Sequence, residues 1–159
     1  MQRNGREEYG VVGLGRMGGN LARQALEKGI RVVGFTRHNA PEDMVEAGLV
    51  EVHSYEDLKA QLSSPRVIFV YIPAGPAVDS VFDGLASELD EGDILVDGGN
   101  SYWGDSIRRH RRFKEQGIHF VDLGTSGGVD GVRPGGLLHG GRRARSDGAD
   151  RAEPARARH

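Results

Sequence analysis

Tyr9-Gly10-Val11-Val12-Gly13-Leu14-Gly15-Arg16-Met17-Gly18 is an apolar run that breaks into three glycines at GxGxxG spacing. The run predicts a short buried strand from Tyr9 to Gly13. The segment that follows, Arg16 to Lys28, carries Met17, Leu21, Ala25 and Leu26 near helical spacing and is stopped by Gly29. A glycine turn between a strand and a helix has a specific physical use. The glycines let the backbone approach a pyrophosphate closely, and the helix start offers unpaired N–H donors to it. The bland alternative is a tight turn needed only for packing.

Working outward, short apolar runs alternate with helix-like stretches separated by glycine, proline or capping residues. Strands are expected at Arg31 to Thr36, Arg66 to Ile72, Asp93 to Asp97 and Ile118 to Leu123. Helices are expected after Pro41 to Ala47, from the Ser54 cap to about Leu62, from Pro76 through Leu89, and from Ser101 to Gln116. The reading is an α/β fold: a Rossmann-type, doubly wound, mostly parallel sheet with flanking helices.

Composition sets limits on function. The 159 residues suit one domain with a modest core. The absence of cysteine excludes disulfides and thiol chemistry, and six scattered histidines lack ligand spacing, so no metal site is expected. No apolar run is long enough to span a bilayer, and the charged N-terminus does not read as a signal peptide, so a cytoplasmic protein with no membrane partner is expected. The formal charge of -2 divides unevenly, for residues 132–159 hold seven arginines against Asp147, Asp150 and Glu153. That stretch has no aromatic residue for base stacking, so no nucleic-acid partner is expected. It also has almost nothing to bury. Residues 8–131 therefore read as the folded domain and 132–159 as a disordered tail, either natural or a GC-rich coding sequence read out of frame.

Three further segments carry chemistry. Where NAD-selective members of this fold place an acid for the ribose hydroxyl, this chain has Thr36, Arg37 and His38. A guanidinium beside a hydroxyl suits a 2′-phosphate that a carboxylate would repel, which favours NADP over NAD, unless Arg37 is only a surface charge. Asp97-Gly98-Gly99-Asn100-Ser101 follows a strand at the sheet's carboxyl edge. Asn100 there suits a ligand and Ser101 the N-cap of the next helix. Gly124-Thr125-Ser126-Gly127-Gly128 leaves the last strand at the same edge, either as a set of donors for a carboxylate or as a plain exit loop. The run Arg108, Arg109, Arg111 and Arg112 reads as a solvated face, and Tyr102 and Trp103 as either cleft lining or packing against the sheet edge.

The strings GLGRMGGNLAR, FTRHN, DGGNSYWGDSIRR and VDLGTSGGVDG occur in this order from about Tyr9 to Gly131. In this they resemble the coenzyme domain of the 6-phosphogluconate dehydrogenases, particularly the shorter bacterial type. The resemblance implies that Gly13, Gly15, Met17 and Gly18 lie against the cofactor and that Thr36, Arg37 and His38 face the 2′-phosphate. It also implies that Asn100, Ser126, Gly127 and Gly128 contact the sugar acid, with Asn100 near the cofactor too. The family oxidises 6-phosphogluconate at its 3-hydroxyl with NADP and releases carbon dioxide to give ribulose 5-phosphate. Its lysine and glutamate, and the helical domain that forms much of its homo-oligomer, come from beyond the TSGG segment. No catalytic residue is therefore expected in this chain, and cofactor binding alone is expected of it. The alternatives are a non-catalytic NADP-binding module and a fragment of a related 3-hydroxyacid dehydrogenase.

Overall fold

A computed structural model describes residues 7–99, 102–125 and 138–140. In chain order the elements are β1 (Glu8–Val12), α1 (Arg16–Glu27), β2 (Arg31–Phe35), α2 (Glu42–Glu46), β3 (Val50–Val52) and α3 (Tyr55–Gln61). They continue as β4 (Val67–Val70), α4 (Ala77–Glu88), β5 (Ile94–Asp97), α5 (Trp103–Glu115), β6 (His119–Thr125) and β7 (Leu138–Gly140). The sheet order is β3-β2-β1-β4-β5-β6-β7. The pairs from β3 through β6 are parallel and β7 runs antiparallel to β6. Strand order reverses between β1 and β4, the crevice where ligands bind in sheets of this kind.

Helices cover both faces, which is why the strands are continuous apolar runs and not alternating ones. Successive strand residues point to opposite sides. Val12 and Val33 thus join one core with Leu58, Phe82, Leu85 and Phe113 from α3, α4 and α5. Their neighbours Val11 and Val32 join another with Ala22, Ala25 and Met44 from α1 and α2. In the first core the rings of Phe82, Phe113 and Phe120 meet at centroid distances of 5.3 to 6.2 Å.

The expected strands and helices are present with ends displaced by one or two residues, and three differences bear on the site. The strand β3 was not expected. Three residues are a weak periodic signal, and tertiary pairing with β2 supplies what local pattern does not. The N-cap of α5 is Tyr102, not Ser101, and no side chain caps it. Within the stretch read from composition as disordered, Leu138–Gly140 pairs with Leu123–Thr125. The ladder needs only backbone groups, which a poorly apolar sequence still has. Among the described residues no helix is long and apolar enough to cross a membrane.

Candidate functional site

The turn after β1 is built by contacts that tolerate only glycine at two places. Gly13 has φ +93°, and a Cβ there would overlap the Tyr71 carbonyl just beyond β4. A Cβ on Gly18 would overlap the Gly13 carbonyl oxygen, so α1 packs directly against the turn. Gly15 differs from both. It has φ -73°, open to any residue, and a Cβ added to it would meet nothing within 4 Å. Nothing among the described residues explains the missing side chain. Among the described residues nothing fills the space above Gly15.

The N-terminus of α1 fits an anion in that space. Its cap is Gly15, no side chain bonds its first N–H groups, and its first turn has no acidic residue. Each of the other four described helices carries Asp or Glu in its first turn, the ordinary complement to the positive end of the helix. The exception lies at the strand-order reversal.

A cleft of about 470 Å³ opens beside this turn, lined by the ends of β1 and β2 and the residues that follow them, by Tyr55 of α3, and by the segment from Ile72, beyond β4, into α4. Gly13, Thr36 and Arg37 of the expected residues line it. The loop after β2 is held by β3: the Thr36 N–H donates to the Val52 carbonyl at 3.2 Å, and the His53 Nδ1 donates to the Thr36 carbonyl at 2.9 Å. The Glu51 carboxylate accepts from the Ala40 N–H at 2.7 Å, and the Thr36 hydroxyl from the His38 N–H at 3.2 Å. Arg37 is exposed at the rim and makes no ion pair or hydrogen bond with any other described residue.

Other expected residues fall elsewhere. Met17 is half-buried against the core beneath α1, and His38 is exposed beside the cleft without lining it. Asn100, Ser126, Gly127 and Gly128 lie outside the described residues. Of the residues just after β5, the Gly98 N–H donates to the Val70 carbonyl and the Gly99 N–H to the Asp97 carboxylate, both at 2.9 Å. These bonds bring the chain leaving β5 alongside the end of β4.

The basic run on α5 is a solvated face only in part: Arg108 and Arg111 are exposed and Arg109 is buried. Arg109 is 4% exposed, donates through Nε to Asp79 at 2.8 Å and lies 3.6 Å from the buried Asp97 carboxylate. Arg108 also bonds Asp79, and Arg112 pairs with Asp83. These pairs clip α5 to α4. The reading from charge alone failed because Asp79 and Asp83 lie on a different helix. Tyr102 and Trp103, 63% and 65% exposed, touch each other and neither line the cleft nor pack on the sheet edge.

The residues that motif reading missed are Phe35, Tyr55, Ile72, Ala74 and Val81 of the lining. Their only sequence signal is position, at or just beyond the carboxyl ends of β2 and β4 and the starts of α3 and α4. That edge is where a doubly wound sheet binds ligands.

A parallel sheet reversing at an uncapped glycine turn defines the dinucleotide-binding class of α/β domain. The family described as the NAD binding domain of 6-phosphogluconate dehydrogenase matches residues 8–152, and the chain belongs to that family. It is 42% identical over 141 residues to 6-phosphogluconate dehydrogenase, decarboxylating 2, of Saccharomyces cerevisiae, with 84% of this chain and 29% of that protein covered. Against the decarboxylating enzyme of Bacillus licheniformis identity is 40% over 144 residues, covering 87% of this chain and 31% of that protein. The chain therefore spans about a third or less of the length of these relatives. Among solved structures, Plasmodium falciparum 6-phosphogluconate dehydrogenase superposes with TM-score 0.68 at 32% identity, over 79% of this chain and 28% of that one. That enzyme was solved in its apo form, with its cofactor NADP+ and with its substrate 6-phosphogluconate. The 3-hydroxyisobutyrate dehydrogenase of Mycobacterium tuberculosis, at 21% identity and TM-score 0.67 over 79% of this chain and 43% of that one, shares the fold.

Proposed function

We propose that this chain binds NADP in the cleft at the strand-order reversal. The pyrophosphate lies over Gly15 and the α1 N-terminus, and the 2′-phosphate lies against Arg37 and Thr36. The observation that carries the reading is the pairing of an unexplained glycine with an unpaired arginine. Gly15 leaves room that no described residue uses, and Arg37 offers charge that no described carboxylate answers. Arg37 lines the cleft on the β2 side, Gly15 directly follows Gly13 and Leu14, which line it on the β1 side, and the cleft's size falls in the range usual for small-molecule sites. A carboxylate at position 37 would repel a 2′-phosphate and hold a ribose hydroxyl, which would favour NAD.

The reaction this binding serves is the oxidative decarboxylation of 6-phosphogluconate to ribulose 5-phosphate, supported by family membership and by the named activity of the relatives. The bound cofactor supplies the hydride acceptor. The residues of this chain hold its phosphates and fix its adenosine end. Asn100, Ser126, Gly127 and Gly128 are proposed to meet the sugar acid.

Isothermal titration of the chain with NADP and with NAD tests the proposal. Saturable binding of NADP, tighter than NAD by about tenfold or more for one charge-assisted contact, is expected. No binding of either, or equal affinity for both, would contradict it.

A further inference from the structure

Tyr55 is the first residue of α3, and its position is set on three sides. Ser54 caps the helix by accepting from the Asp57 N–H at 3.0 Å, which fixes the backbone from which Tyr55 projects. The ring packs on Phe35 at a centroid distance of 4.7 Å. On its other side it rests against Gly84 of α4, where a Cβ would approach its Cε2 to 2.6 Å. Phe35 and Gly84 thus form a slot for the ring, and the slot opens into the cleft that Arg37 also lines.

The hydroxyl makes no hydrogen bond with another described residue. Burial raises the phenol pKa, and the Arg37 charge lowers it by less, so at neutral pH the group keeps its proton and is a donor. A ring wedged by two elements, with an unused donor beside an unpaired guanidinium, suits an acceptor with several oxygens. A ribose hydroxyl would use less of what the pair offers.

We infer that the Tyr55 hydroxyl, with Arg37, recognises the 2′-phosphate of the dinucleotide and so contributes to the choice of NADP over NAD. The inference rests on the cofactor reading above. Tyr55 is a specificity residue on this account, and the fold does not depend on its hydroxyl.

The test is isothermal titration of the full chain and of Tyr55→Phe with NADP and with NAD, beside a urea unfolding curve for each protein. Tyr55→Phe keeps the ring in its slot, so an unchanged unfolding midpoint is expected, with NADP affinity lower by about tenfold and NAD affinity unchanged. A variant that matches the parent for NADP, or weakens equally for both cofactors, overturns the inference. Gly84→Ala supplies a second arm by pushing the ring out of the slot, and it too should lose preference for NADP. Full preference retained by Gly84→Ala counts against the inference. A parent protein that does not prefer NADP overturns the cofactor reading and this inference together. Preference lost in Arg37→Glu but intact in Tyr55→Phe leaves the cofactor reading standing and removes Tyr55 from it.

Discussion

At the amino-terminal edge of the sheet, Arg66 precedes β4 and Asp93 precedes β5. The Asp93 carboxylate, with no exposed surface, accepts from the Arg66 backbone at 2.8 Å, the Arg66 guanidinium at 3.1 Å and the Asp90 backbone at 2.9 Å. Beside it, Arg31 pairs with Glu8 at 2.9 Å, and Glu8 also accepts from the Ser63 N–H at 2.7 Å. At the carboxyl edge of the β1–β3 half, among the described residues, Arg37 has no such partner, no side chain caps α1 and nothing fills the space beside Gly15. One edge satisfies its polar groups within the protein. The other, among the described residues, leaves Arg37 and the α1 N-terminus unanswered, the groups proposed above to hold the cofactor's phosphates.

The difference predicts that substitutions at the two edges fail in different ways. Asp93→Ala should have the largest effect on stability, about 3–5 kcal/mol, because it leaves two backbone donors unanswered and takes from the largely buried Arg66 guanidinium one of its two carboxylates. Urea unfolding measures it, and Asp93→Asn, which keeps an acceptor, should lose less. Removal of the Arg109 charge by Arg109→Met belongs to the same class, since the buried Asp97 then loses this cation and Asp79 one of its two.

Arg37→Glu should leave the unfolding midpoint within about 0.5 kcal/mol of the parent, as an exposed substitution outside any network. It should lower NADP affinity by about a hundredfold, since attraction to the phosphate becomes repulsion, and leave NAD affinity largely intact. A large stability loss would show that Arg37 has a structural partner and would erase the contrast between the edges.

The smallest expected effect concerns acid. Partial burial pushes the Asp79 carboxyl up, but the hydrogen bond and charge of Arg109, helped by Arg108, outweigh this and hold it below the ordinary carboxylate value. A carboxyl with a depressed folded value contributes stability in full above its unfolded pKa, about 4, and loses it as pH falls through the lower folded value. Asp79→Asn should therefore flatten part of the acid limb of a stability profile below about pH 4. Asp43 and Asp90, held down by hydrogen bonds from Arg23 and Lys59, will share that limb. Asp79→Asn should not abolish it.

Much of the β1–α1–β2 unit was legible in the sequence because each signal is local. An apolar run, a glycine turn, a helical stripe and Gly29 lie within twenty-odd residues, and backbone requirements at Gly13 leave a trace in residue type. What was not legible depends on partners distant in the chain. Three residues of β3 become a strand by pairing with β2, and β3 then holds the loop that carries Arg37. Arg109 and Arg112 of α5 look solvated until Asp79, Asp83 and Asp97 are placed against them. Tyr55 carries no motif and enters the cleft only because Gly84, 29 positions later, leaves room for its ring. In the GxGxxG turn the sequence marks three glycines alike, whereas their surroundings separate two structural positions from one that is open.

That separation allows the most direct measurement. Gly15→Ala and Gly18→Ala should each be carried through urea unfolding and through titration with NADP. Gly18→Ala should lose stability by about 1–3 kcal/mol from overpacking against the Gly13 carbonyl. Gly15→Ala should unfold at the parent's midpoint and yet lose NADP affinity by at least about tenfold, since its methyl occupies the space proposed for the pyrophosphate. If Gly15→Ala binds NADP as the parent does, the open space over the α1 N-terminus is not the cofactor site, and the account fails at its centre.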